Sequence, residues 1–145
     1  MKKTLLFIIV DIQYVLLFHA GSCDGYTNIT DTWRNFLFTS TSFPGFSKDD
    51  AALKQKWLRF TGLGGDRVVA QCFSRPTAGA NYNIWVPFSY PTTESETATT
   101  GTAYGAVSHC SHFGISMSLV LCPGGFYIYK PASHPHPSMV HATCK

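Results

Sequence analysis

The strongest periodic signal in the chain lies in its last third. Ile115, Met117, Leu119 and Leu121 alternate with Ser116, Ser118, Val120 and Cys122, which is the period-two pattern of a strand with one apolar face. Pro123-Gly124-Gly125 turns the chain and Phe126-Tyr127-Ile128-Tyr129 runs back, so this stretch predicts a β-hairpin. A second hairpin is expected upstream. Trp57-Leu58-Arg59-Phe60 suits a pleated, half-buried surface, Thr61 to Asp66 breaks it with a glycine cluster, and Arg67 to Gln71 resumes extended chain and delivers Cys72. Weaker strand patterns cover Phe36–Phe38, Asn83–Val86 and Gly105–Cys110. The one helical pattern is short and runs from Ser47 to Lys56: Ser47 as cap, Asp50 three residues on, then Ala51, Ala52, Leu53 and Lys54.

Polar and breaker-rich stretches separate these elements. Thr92 to Thr102 reads TTESETATTGT, with no apolar residue larger than Ala98, and predicts a solvated loop. The tail from Pro131 holds Pro135, Pro137, His134, His136 and His141, and is expected to be extended and poorly packed until Cys144. At the other end, Lys2 and Lys3 precede an apolar run from Thr4 to Phe18, followed by the small residues Ala20-Gly21-Ser22. That is the layout of a secretory signal peptide, residues 1–22, cleaved after Ser22. The run is shorter than the ~20 apolar residues a bilayer span needs, and it contains Asp11. No membrane span is expected. Residues 23–145 then form one domain, small enough for covalent staples to matter.

Charge and cysteine usage narrow the class. The formal net charge is +3, and removal of Lys2, Lys3 and Asp11 leaves nine basic residues against seven acids. Such a mild, scattered excess implies neither nucleic acid nor an anionic membrane surface as partner. All five cysteines, Cys23, Cys72, Cys110, Cys122 and Cys144, follow the cleavage site. In an oxidising compartment they read as disulfides with one cysteine left over.

Candidate chemistry is sparse. Asp49-Asp50 and Glu94/Glu96 are close pairs in polar contexts, whereas a catalytic carboxylate pair needs an apolar pocket to shift one member; both pairs read as solvated. His109 and His112 flank Cys110 and Ser111, and His134 and His136 alternate in the tail. Imidazoles so spaced can bind zinc or copper, but side chains three apart on a strand point to opposite faces. No metal and no cofactor is expected. A nucleophilic cysteine needs a free low-pKa thiol beside a base, and only Cys144, one residue from the end, is available. Gly62 to Gly65 lacks the G-K-S/T ending of a phosphate loop. No enzyme is expected. Trp85, Tyr127 and Tyr129 are the aromatic candidates for a binding surface, with core packing as the ordinary alternative.

Several of these segments also resemble one known module. Trp57 to Gly65 resembles the W-Y-R-F-x-G-x-x-G segment of the cysteine-rich module found in uromodulin and the pancreatic secretory granule membrane glycoprotein. Cys23-Asp24-Gly25-Tyr26 followed by Asp31-Thr32-Trp33-Arg34 looks like its opening cysteine and W-R pair, and Cys122 to Tyr129 looks like its C-x-G-G-Y-Y-V-Y ending. The family module carries eight to ten cysteines, so this chain is a reduced version. The resemblance implies the pairs Cys23–Cys122 and Cys72–Cys110, with Cys144 unpaired or free to join a second chain as a disulfide-linked dimer. It also implies a secreted, non-catalytic recognition or decoy module in mucosal defence, displaying a mannose-rich glycan to microbial adhesins. The family's glycan positions hold no N-x-S/T here, and the only such sequon is Asn28-Ile29-Thr30. Alternative roles are a lectin-like glycan binder, or a structural subunit of a larger extracellular assembly linked through Cys144. Ligands of either kind are extracellular proteins or glycans. The expected fold is all-β: a compact two-sheet or sandwich-like, disulfide-stapled module with at most one short helix.

Overall fold

A computed structural model describes residues 21–38, 48–73 and 77–145. The leader assigned to residues 1–22 thus lies almost wholly outside the described residues, as does the Ser47 cap. Among the described residues the fold is all-β, with nine strands: β1 (Thr27–Ile29), β2 (Leu58–Phe60), β3 (Arg67–Val68), β4 (Tyr82–Trp85), β5 (Thr99–Ala106), β6 (Phe113–Cys122), β7 (Phe126–Pro131), β8 (Met139–His141) and β9 (Thr143–Cys144). Seven of them form one mixed sheet in the order β1-β2-β7-β6-β5-β4-β8, and β3 pairs with β9 in a separate two-stranded sheet.

The β6–β7 hairpin is the centre of the fold, with Leu119 opposite Tyr129 and Val120 opposite Ile128. Alternation along β6 sends Ile115, Met117, Leu119 and Leu121 to one face, where they join Leu58, Phe60, Ile84, Ala103 and Tyr129 in the main core. The sheet curls around that core. Phe60 on β2 and His141 on β8, near opposite ends of the strand order, have ring centroids 6.1 Å apart. Val68 of the small sheet packs into the same cluster. Each large side chain so buried contributes about 1.5–3 kcal/mol. On the outer face, Val120, Cys122 and Ile128 form a smaller cluster under Cys23, Tyr26, Trp57 and Phe126.

The upstream hairpin does not form. Both edges of β2 are taken, by β1 in parallel and by β7 in antiparallel, so β3 pairs with β9 instead. The glycine cluster becomes a 3-10 turn, Gly62–Gly64, that carries the chain from one sheet to the other. It has to be glycine. A Cβ on Gly64 would stand 2.3 Å from the Asp31 carbonyl oxygen, and Gly65, at φ +118°, would bring one to 2.4 Å from that of Cys144.

The polar stretch at 92–102 is also only half loop, because β5 begins at Thr99. Its alternation is hidden by size. Gly101, Ala103 and Gly105 share the inner face because rings fill the space above them. A Cβ on Gly101 would meet the Phe88 ring at 2.4 Å, and one on Gly105 the Phe113 ring at 2.2 Å. The strand expected over Gly105–Cys110 therefore ends at Ala106. Phe36–Phe38 forms no strand; Asn35 alone makes a bridge, to Thr143.

Of the tail expected to be loose from Pro131, residues 132–137 are exposed or half-buried and form no strand, whereas residues 138–143 are core. Met139, Val140, His141, Ala142 and Thr143 are all buried, because β8 extends the main sheet alongside β4 and β9 completes the small one. The short helix reduces to a 3-10 turn, Ala51–Leu53. Asp50 makes no side-chain cap there, since its carboxylate is drawn inward to Arg34 and His141.

Candidate functional site

Two cross-links frame the surface. Cys23, ahead of β1, is bonded to Cys122 at the end of β6, closing 99 residues of chain. Cys72, just past β3, is bonded to Cys110 in the β5–β6 connection, across 38 residues. The first holds the N-terminal segment on the outer face of the hairpin. The second fixes the connection whose Cys110 carbonyl accepts the Trp85 indole N–H at 2.6 Å.

Cys144 is a free thiol, half-buried on β9. Burial and then the Asp66 carboxylate push its pKa up, while Arg67 opposes them weakly, so the sulfur stays protonated at neutral pH. A depression of about 510 Å³ beside it is lined by Asp66, Arg67, Val68, Ala70 and Tyr90. Burial also raises the Tyr90 phenol, so that residue is no base for the thiol.

Asn28 sits in the middle of β1, the outermost strand at one end of the sheet, and is exposed together with Thr30. A glycan on Asn28 would project from that edge into solvent.

The aromatic trio is dispersed. Tyr129 is fully buried and Tyr127 only 9% exposed, so neither offers a face to a ligand. They are core because β7 lies mid-sheet, and their hydroxyls serve the backbone. Tyr129 Oη accepts the Val68 N–H at 3.2 Å and donates to Tyr90 Oη at 3.3 Å, which in turn donates to the Val68 carbonyl. Those bonds satisfy Val68 on a strand only two residues long. Tyr127 donates to the Pro91 carbonyl at 2.8 Å. Of the three, only Trp85 is half-exposed, and its ring neighbour is Tyr104, 6.0 Å away. Sequence reasoning passed over Tyr104; the only signal was one aromatic in a run of Thr, Gly and Ala.

Asp50 is likewise not solvated. Its carboxylate accepts both terminal guanidinium nitrogens of Arg34, at 2.7 and 2.8 Å, the His141 Nδ1 at 2.7 Å and the His141 backbone N–H at 2.9 Å. Burial works to raise its pKa, but hydrogen bonds and charges from His141 and Arg34 outweigh it and hold the carboxyl well below its ordinary value. Among the described residues His141 Nε2 is buried and has no hydrogen-bond partner, so within them this Asp–His pair is not joined to a nucleophile. Nothing local in the sequence marks this triad, whose members lie 16 and 91 residues apart.

His134 pairs with Asp49 at 2.7 Å. His136 lies against Phe113 and Tyr82, and His112 packs against the same Tyr82 ring and against His136, with the two imidazole centroids 6.2 Å apart. Among the described residues no three His, Cys, Asp or Glu converge as a metal site, and no helix is long and apolar enough to cross a membrane.

No family model matches the chain. In an alignment 132 positions long that covers 85% of the chain, it is 32% identical to mouse (Mus musculus) uromodulin, and it is 30% identical to rat (Rattus norvegicus) uromodulin over the same share. The chain spans about a fifth of the length of these relatives, 20% and 19% respectively. The chain is thus similar to one stretch of uromodulin, and it folds as an all-β module closed by two cross-links.

Proposed function

We propose that the chain acts as a secreted, extracellular, non-catalytic recognition module, a five-cysteine reduction of the eight-to-ten-cysteine type, and that its displayed ligand is an N-linked glycan on Asn28. In this reading residues 1–22 are a leader removed on export, and the glycan is offered to mannose-binding microbial adhesins in mucosal defence. The observation that carries it is the Asn28-Ile29-Thr30 sequon at the end of the outermost strand of a disulfide-stapled sheet, with the Asn28 and Thr30 side chains exposed and Ile29 turned into the core.

The test is secretion from a eukaryotic host, followed by non-reducing peptide mapping and capture on an immobilised mannose-binding bacterial adhesin. The expected result is an N-terminus at Cys23, a glycan on Asn28, and capture abolished by Asn28→Gln. An unmodified Asn28, or capture that survives the substitution, would overturn the reading.

A further inference from the structure

Strands β4, β5 and β6 contain no Asp, Glu, Lys, Arg or His, in a chain of formal charge +3. Their outer face is open: Thr100, Thr102, Gly114 and Ser116 are exposed and Ser118 is half-buried. The register arranges these side chains in rungs. Thr100 lies opposite Ser118, with hydroxyls 3.1 Å apart, Thr102 lies opposite Ser116, and Tyr104 is flanked by Gly114 and Trp85. Successive rungs are about 7 Å apart along a strand. Gly114 leaves the room that the Thr102 methyl occupies, since a Cβ there would stand 2.9 Å from Thr102 Cγ2, and the Tyr104 ring lies beside it within van der Waals reach. The Tyr104 and Trp85 rings, inclined by 36°, form a platform at the end of the hydroxyl ladder. Trp85 is held by its bond to the Cys110 carbonyl, and Cys110 by its disulfide to Cys72. A platform already ordered loses little freedom on binding.

We infer that this face binds a neutral oligosaccharide, with one pyranose stacked on Trp85 and Tyr104 and neighbouring sugars hydrogen-bonded along Thr102, Ser116, Thr100 and Ser118. This deepens the recognition role proposed above by adding a second, direct site. A pyranose presents an apolar C–H face that suits the rings and an edge of hydroxyls that suits Ser and Thr, which both donate and accept. Charge selects against other occupants. An acidic glycan or peptide would be desolvated against strands that return no countercharge. Lys130, opposite Ser118 on β7, already lies over the Trp57 ring at 5.7 Å. An apolar protein surface would strand the hydroxyls without partners.

The test uses the secreted Asn28→Gln protein on an array of neutral, sialylated and sulfated oligosaccharides, then calorimetric titration of the strongest neutral binder. The expected result is binding of neutral glycans, weakened about tenfold or more by Tyr104→Ala. Thr102→Lys, at an exposed position that leaves the rings intact, is expected to do the same, and Lys54→Ala, outside these strands, to change nothing. Binding confined to acidic glycans, no binding, or neutral binding untouched by Tyr104→Ala and Thr102→Lys would overturn the site. Because this protein lacks the Asn28 glycan, failure here leaves adhesin capture by the glycosylated protein standing, and failure of that capture leaves this site standing.

Discussion

Asp50 and His141 are joined twice: one carboxylate oxygen of Asp50 accepts both the backbone N–H of His141, at 2.9 Å, and its Nδ1–H, at 2.7 Å. Arg34 takes the same carboxylate in a two-pronged grip. All three residues are buried, at 1–4% exposure, beside the point where Phe60 of β2 approaches β8. The triad therefore ties the 3-10 turn Thr32–Arg34, the segment before the Ala51–Leu53 turn and strand β8 into one seam.

Removing one partner leaves the others buried and uncompensated. Asp50→Asn is expected to destabilise the fold by about 3–5 kcal/mol, and Arg34→Met by a similar amount. Urea unfolding of the secreted proteins checks this. A change in midpoint corresponding to less than ~1 kcal/mol would show that the seam tolerates loss of its charge.

The same triad sets an acid limb. Because the folded Asp50 carboxyl lies below its unfolded value, its contribution is complete above the unfolded pKa of about 4 and is lost as pH falls toward the folded value. Wild-type stability is expected to decline from about pH 4 downward, and the Asp50→Asn protein to show a flatter decline over the same window. Thermal melts from pH 2 to pH 6 measure it; parallel curves would remove Asp50 as the source.

Gly65 is a sharper local test. At φ +118° and with the Cys144 backbone where a Cβ would go, Gly65→Ala is expected to cost at least about 2 kcal/mol. Gly25→Ala, with no atom within 4 Å of the added carbon, is the control and should stay within about 0.5 kcal/mol. Equal melting of the two variants would refute the role assigned to the crossing between sheets.

Disulfide removal should rank by loop length. In the chain-entropy account, loss of Cys23–Cys122 costs about 4.7 kcal/mol and loss of Cys72–Cys110 roughly 3–4 kcal/mol. Against ~5–15 kcal/mol of net stability, Cys122→Ser is expected to abolish secretion of folded protein, while Cys144→Ser leaves it intact. Secretion yield and a non-reducing gel decide both. A Cys144-dependent dimer on that gel would favour the structural-subunit role over a half-buried, protonated thiol.

What the sequence by itself determined is what lies close together along the chain. The β6–β7 hairpin follows from period-two alternation on either side of a Pro-Gly-Gly turn, since adjacent strands and their turn need no distant partner. The all-β class and the position of the one sequon follow from local pattern, whereas the exposure of Asn28 and Thr30 is a property of the fold. Tertiary structure decided which strands meet. The Trp57–Gln71 stretch has hairpin chemistry, but β1 and β7 occupy both edges of β2, and β3 pairs instead with a strand 75 residues further on. β5 was concealed because its inner positions are Gly and Ala, small in order to make room for Phe88 and Phe113. Asp50 and His141 read as solvent-facing because nothing local distinguishes a paired buried charge from a free one; only the curl of the sheet brings Arg34 to them. Trp85 and Tyr104 became neighbours in the same way, through a register that pairs β4 with β5, which neither strand announces alone.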